Sequence, residues 1–315
     1  MKRVTLLIPC YNEAEGLIPL HKRLTTLMET NPGYRWDILF IDDGSRDQTL
    51  ERIRAMAQQD SRIGYVALSR NFGKENAMLA GFDAAGGDCA IILDADLQDP
   101  PELIPQMLHC WEEGYDDVYA RRRSRGKESW LRKKLSLLYY RMLQKASRVD
   151  ILENVGDFRL LDRKCIDALC RLRESERYTK GMFCWIGFDK KEILFDRDDR
   201  SAGNSSFNFR KLFALAIEGL TSFTTAPLRL STIFGIVISM VSFIMMLVYL
   251  IKAILWGDPV QGFPTLITVV LFLGGVQLLS LGILGEYLAR IFKETKNRPV
   301  YLVKEEKKAN VETGI

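Results

Sequence analysis

Residues 88–101 read DCAIILDADLQDPP. An apolar run of strand length ends in two aspartates separated by one alanine, and two prolines follow shortly after. Two carboxylates this close repel, and neither is cheap to bury without a partner. A strand that ends on Asp94 and Asp96 therefore calls for a positive group near its carboxyl end.

The sheet that would carry such a strand is legible upstream. VTLLIP (4–9), WDILFIDD (36–43) and IGYVALSR (63–70) read as further strands. The stretches EGLIPLHKRLTTLMET (15–30), DQTLERIRAMAQQD (47–60) and KENAMLAGFDAAG (74–86) read as the helices between them. That alternation predicts an α/β domain with a mostly parallel, doubly wound sheet. Ligands of such sheets bind beyond the carboxyl ends of the strands. Four polar motifs stand at those ends: PCYNE (9–13), DDGSRD (42–47), SRNFGK (69–74) and DADLQD (94–99). One such cluster is ordinary helix capping; four in succession describe a shared site. At Asp42 and Asp43 two readings stay open. A carboxylate there caps the next helix, or it accepts from a base N–H or a ribose hydroxyl. Asp94 and Asp96 offer hard oxygens at a spacing that suits one Mg²⁺ or Mn²⁺ against a diphosphate. No GxxxxGK[ST] loop occurs, which excludes a P-loop nucleotidase.

The chain of 315 residues carries a net charge of +4, two histidines and six cysteines without a CxxC pair. That usage argues against a zinc site and fits a reducing compartment. The N-terminal apolar stretch is too short for a signal peptide. Two long uncharged segments follow the α/β part. Residues 230–251 run 22 residues and residues 259–285 run 27 residues without a charge, each long enough to cross a bilayer, although buried core helices are the competing reading. The connection AILWGDPVQGF (253–263) has no Lys or Arg, whereas Arg229, Arg290, Lys293, Lys296 and Arg298 flank the pair. Positive flanks place both termini in the cytoplasm, with Lys252 counting against it. The expected organisation is a cytoplasmic domain over 1–228, a two-helix transmembrane hairpin over 229–290 and a cytoplasmic tail over 291–315, whose end VKEEKKANVETGI (303–315) is charged and expected to be mobile.

Residues 121–148 hold eleven Lys or Arg against one Glu, interleaved with Trp130, Leu131, Leu135, Leu138, Tyr139 and Met142 at helical spacing. A solvated face and a nucleic-acid surface are alternatives. Beside two membrane spans, an interfacial helix over about 128–146 is favoured, with a second over 207–222. No nucleic-acid partner is expected.

IPCYNE, DDGSRDQT, SRNFGKENAMLAGF and LDADLQDPPELI, in this order and spacing, resemble the family-2 glycosyltransferases of the GT-A fold, with DAD as their DxD motif. GDFRLLDR (156–163), KGMFCWIGF (180–188), RSAGNSSFNFRKL (200–212) and the two apolar segments extend the resemblance to the polyisoprenyl-phosphate glycosyltransferases, most closely the bacterial bactoprenol glucosyltransferases. The resemblance implies inverting transfer of glucose from UDP-glucose to undecaprenyl phosphate at the inner membrane, within cell-envelope and lipopolysaccharide assembly, by a homo-oligomer, a tetramer in relatives. By motif it implies Asp94, Asp96 and Gln98 as metal ligands. Pro9, Tyr11, Glu13, Asp42, Asp43, Lys74, Asp94, Ala95, Asp96 and Arg200 become the nucleotide-sugar set. Asp157, Asp96 and Arg200 become the catalytic set. The lipid phosphate is assigned to Arg121, Arg123, Arg132, Arg159, Ser205 and Ser206. Ser206 stands where mannose synthases have a lysine. An Asp157–Arg159 structural ion pair is the competing reading of GDFR. A QxxRW motif is absent, which argues against a processive synthase. Another sugar donor, such as an aminoarabinose nucleotide or GDP-mannose, or a non-catalytic membrane scaffold, remain the alternatives.

Overall fold

The computed structural model describes residues 1–123, 155–175, 177–195, 228, 233, 235–238, 240–241, 243–245, 248, 251, 255 and 262–310. The chain divides into two compact units, one of Met1–Arg141, Val149–Ser206 and Pro299–Ile315 and the other of Met142–Arg148 and Phe207–Arg298.

The first unit is built on β1 (Arg3–Cys10), β2 (Arg35–Asp42), β3 (Ile63–Leu68), β4 (Cys89–Ile92), β5 (Asp117–Arg122), β6 (Val155–Asp162), β7 (Lys190–Phe195) and β8 (Val303–Lys307). They form one sheet in the order β7-β5-β6-β4-β1-β2-β3-β8. The central strands β4, β1, β2 and β3 are parallel. They are apolar almost throughout because helices cover both faces. One face packs α1 (Ala14–Thr30), α2 (Thr49–Gln59) and α4 (Ile104–Glu112) through Leu17, Leu20, Leu24, Ile53 and Met107 onto Ile8, Phe40 and Ile91. The other packs α3 (Lys74–Ala84), α5 (Arg163–Arg171) and α6 (Thr179–Trp185) onto Leu7, Ile41 and Ile92.

The sheet is mixed at its flanks rather than parallel throughout. β6 runs antiparallel to both β4 and β5, and β8 runs antiparallel to β3. The expected mobile tail is corrected at β8. Ser69 N–H donates to Leu302 O at 2.9 Å, and Arg54 grips Glu305 bidentately at 2.7 and 2.7 Å. A charged sequence exposed at every position but Glu305 suits an edge strand, where charge discourages further pairing.

In the second unit α7 (Phe263–Thr295) is a single helix of 33 residues. Its Phe272–Thr295 portion has a mean hydropathy of 1.4 and is long and apolar enough to cross a membrane; it is the one such helix among the described residues. Leu278, Leu281 and Leu288 stand exposed on it. The helix outruns the uncharged segment, continuing past Gly285 through Glu286, Arg290 and Lys293. Of the first expected span, 12 of the 22 residues of 230–251 are described and all 12 are helical; both expected interfacial helices lie outside the described residues.

Candidate active site

Strand register assembles the polar motifs. Cys10 pairs with Asp42 and Leu7 with Ile92, while Asp43 N–H donates to Cys10 O and Leu93 N–H to Leu7 O. PCYNE, DDGSRD and DADLQD therefore emerge side by side. A cavity of about 260 Å³ opens there. Pro9, Tyr11 and Glu13 line it from the end of β1, Asp43 from the end of β2, Lys74 from the start of α3, and Asp94, Ala95 and Asp96 from the end of β4.

The motifs also hold one another in place. Asp43 is buried and accepts from Phe72 N–H at 2.7 Å and Gly73 N–H at 2.9 Å, so its carboxylate fixes the loop ahead of α3. Asp42, also buried, accepts from Ser45 N–H at 3.3 Å. Burial raises both carboxyls above their usual range, partly offset by these bonds. Neither aspartate caps α2. Asp47, one residue before the N-cap Gln48, accepts from Thr49 N–H at 3.0 Å and from Ala14 N–H at 3.3 Å. Gly44, at φ +67°, lies against the Arg70 backbone, where a Cβ would collide.

The positive group demanded by the DAD motif is Lys74. Its Nζ lies 2.6 Å from Asp94 Oδ1 and 2.6 Å from Asp157 Oδ2. Desolvation pulls the ammonium down, but attraction from Asp157 and Asp94 outweighs it and Lys74 titrates above its usual value. Burial pushes Asp157 up, but the charges of Lys74 and Lys180 hold its carboxyl below the ordinary range. The second Asp157 oxygen, Oδ1, is buried without a hydrogen-bond partner. Glu13 is raised, first by burial and then by the charges of Asp96 and Asp94. Leu97 sits in the left-handed region at φ +59°, a costly turn for a leucine, and Asp96 Oδ1 accepts from Gln98 N–H at 3.1 Å.

For a divalent cation, Asp94, Asp96 and the Gln98 amide supply hard oxygen donors. Gln98 Oε1 is buried and without a partner, and a lysine ammonium already neutralises Asp94. These observations fit the group, although no cluster of three His, Cys, Asp or Glu side chains gathers for a metal among the described residues.

Other expected positions are not brought to the cavity. Arg159 is buried on the same strand as Asp157 but pairs with Asp117, at 3.0 Å, and stacks over Phe183 at 3.7 Å. This removes it from the lipid-phosphate set and replaces the expected Asp157–Arg159 pair. Arg121 binds Glu192 at 2.9 Å across β5 and β7, and Arg123 N–H donates to Phe195 O at 3.1 Å. Arg132, Arg200, Ser205 and Ser206 lie outside the described residues. Three residues were missed by motif reading. Asn71 lines the cavity. Glu75 is half-buried and accepts from Thr179 N–H at 2.9 Å, tying α3 to α6. Lys180 supplies charge to Asp157. Glu75 and Lys180 stand inside quoted motifs, and only the packing of α3 against α6 gives them this setting.

Comparison with known proteins gives matches along most of the chain. Residues 5–170 match the glycosyl transferase family 2 model, and residues 226–291 match the GtrB C-terminal hairpin. CsbB of Bacillus subtilis (strain 168), provisionally named a glycosyltransferase, is 46% identical over 96% of this chain and 91% of its own. The SfII prophage-derived bactoprenol glucosyl transferase of Shigella flexneri is 41% identical over 98% of this chain and 99% of its own. The prophage bactoprenol glucosyl transferase homolog of Escherichia coli (strain K12) is 40% identical over 97% of this chain and 100% of its own.

Proposed function

Because the chain belongs to glycosyltransferase family 2, we propose that it transfers glucose from UDP-glucose to undecaprenyl phosphate, inverting C1, at the cytoplasmic face of the bacterial inner membrane. The observation that carries this reading is the junction of Asp94, from the donor-side strand β4, with Asp157, from β6, through the Lys74 ammonium. It supports reading Asp94 as the donor-binding carboxylate and Asp157 as the acceptor-side one, since a single ammonium reaches both. The names of the Shigella flexneri and Escherichia coli relatives support the acceptor and the sugar.

The reaction is one displacement. A phosphate oxygen of the lipid attacks C1 opposite the departing UDP. A phosphate monoester loses its second proton near pH 6, so the nucleophile is already an anion at neutral pH. Asp157, held below its ordinary range, is a weak base. Its free Oδ1 is suited to accepting from a sugar hydroxyl, and its role is to orient rather than to deprotonate. A divalent cation held by Asp94, Asp96 and Gln98 would supply charge for the departing diphosphate. Lys74 supplies a further positive charge at the same place, and Arg200 is assigned to the leaving phosphates. Arg121 and Arg123, at the end of β5, are the described candidates for the lipid phosphate. Most of the acceleration comes from positioning and electrostatics.

The membrane setting is supported by the hairpin match over 226–291 and by α7. β8 adds an independent argument. It lies beyond the apolar segments in sequence yet pairs with β3. Residues on both sides of those segments thus share one sheet, which supports a pair of crossings over a single one. The tetrameric assembly belongs to the proposal and is checked by light scattering in detergent.

The test is transfer of labelled sugar to undecaprenyl phosphate by the purified chain in detergent. UDP-glucose, UDP-galactose, UDP-N-acetylglucosamine and GDP-mannose are compared with and without EDTA. EDTA-sensitive labelling from UDP-glucose alone is expected. Labelling from another donor moves the sugar and keeps the reaction; no labelled lipid from any donor overturns the reading in favour of a scaffold.

A further inference from the structure

Lys74 is built to be both fixed and releasable. Its backbone opens α3 directly after Gly73, whose N–H and that of Phe72 are pinned by the buried Asp43 carboxylate. Its side chain is different: it is about 42% exposed and reaches the site as a four-carbon arm. The ammonium spans two carboxylates from different strands at 2.6 Å each. Asp94, one of these two, is also assigned to the divalent cation. An ammonium 2.6 Å from Asp94 Oδ1 and a divalent cation on the same carboxylate would sit side by side and repel each other, even with Glu13, Asp96 and Asp157 near to offset part of their charge. The two cations therefore compete until further negative charge enters, and a nucleoside diphosphate brings that charge.

We propose that Lys74 is a resident placeholder cation: it neutralises Asp94 and Asp157 in the ligand-free protein and leaves Asp94 for the donor diphosphate, so that the divalent cation loads with the nucleotide rather than before it. This inference rests on the reading of Asp94 and Asp96 as cation ligands. It goes beyond that reading in assigning an order of loading and a coupling between the two ligands. By linkage, whatever UDP does for Mn²⁺ affinity, Mn²⁺ does for UDP affinity, and Lys74 is the residue through which much of that coupling runs. Lys74 is a positioning residue for the carboxylates and a binding residue for the diphosphate.

The experiment is Mn²⁺ binding to the full chain in detergent, read by electron paramagnetic resonance with and without UDP. Wild type is expected to bind Mn²⁺ weakly alone and at least tenfold more tightly with UDP, within the usual span of such couplings. Lys74→Gln is expected to bind Mn²⁺ alone about tenfold more tightly than wild type and to lose most of the UDP effect. Lys74→Arg, which keeps the charge, is expected to retain the coupling. Unchanged coupling in Lys74→Gln, or weaker Mn²⁺ binding without UDP, overturns the inference. A wild-type protein that binds no Mn²⁺ even with UDP overturns the metal reading beneath it instead. Wild type gives a second readout should Lys74→Gln not fold, namely the acylation rate of Lys74 followed by mass spectrometry. That rate is expected to hold with a low concentration of Mn²⁺ alone and to change with Mn²⁺ and UDP together. A rate indifferent to both ligands together overturns the placeholder.

Discussion

Asp157 and Arg159 stand two residues apart on β6 and so face the same side of the sheet, yet they serve different ends. Arg159 and Asp117 form a closed pair, their side chains 2% and 0% exposed, with Phe183 stacked on the guanidinium. Asp157 and Asp94 share Lys74 at the open mouth, with one Asp157 oxygen left unpartnered. In the closed pair, burial pushes Asp117 up and Arg159 brings it part of the way back. At the mouth, charge wins over burial and Asp157 goes down. The difference teaches that residue type does not assign a role here. Whether water and ligand can reach the pair does.

The comparison can be broken first at the closed pair. Asp117→Ala strands a buried guanidinium and is expected to cost about 3–5 kcal/mol. In a thermal melt of the detergent-solubilised chain that lowers Tm by roughly 10 °C. Replacing both partners by apolar residues, Asp117→Leu with Arg159→Met, is expected to recover most of the loss. A single variant that melts with the wild type would place Arg159 back among functional arginines.

At the mouth the effect moves from stability to rate. Asp94→Asn and Asp96→Asn are each expected to lower lipid labelling by about 10²–10³-fold, with Tm changed by no more than a few degrees. A collapse of Tm alongside the activity would make the mouth structural too.

A smaller effect is set by pH. The acid limb of transfer is expected near pH 6, where the acceptor phosphate takes its second proton. Asp157, whose folded value is lowered, stays charged there, and Asp157→Asn leaves the limb in place. The stability that this carboxylate contributes is present above its unfolded value of about 4 and is lost as pH falls through the lower folded value. Melting temperatures are therefore expected to be flat on this account from pH 5 to 8. A limb that moves with Asp157→Asn would make that residue the base. The smallest effect belongs to the clasp on the exposed edge strand. Arg54→Ala is expected to leave Tm within error, because Arg54 and Glu305 meet in water. A large drop would show β8 to be held by that single pair.

Much of the site was legible because parallel strands deliver their C-terminal residues to one edge. Once VTLLIP, WDILFIDD and DCAIILDAD read as neighbouring strands, Pro9, Tyr11, Glu13, Asp43 and Asp94 had to converge, and they do. Lys74 was placed in the same set by motif, but its bridge to Asp157 joins residues 83 positions apart and has no local signal. The antiparallel flank was less legible. β5, β6 and β7 are linked by long connections, and their pairing depends on which edge of the parallel sheet is free. β8 was read as a tail because a charged five-residue strand has no apolar face to announce it.

The sequence by itself determined the α/β layering, the motif-bearing ends of β1, β2 and β4, and the presence of long apolar segments after the catalytic unit, because hydrophobic period and turn chemistry are local properties. Only the tertiary structure decided that Asp43 anchors the loop before α3, that Arg159 is sealed against Asp117, that Lys74 joins β4 to β6, and that the C-terminal residues return to the sheet. Each of these depends on partners distant in sequence and on how much water the surrounding packing lets in. Charge–charge energies follow that exclusion of water more closely than they follow the identity of the residues.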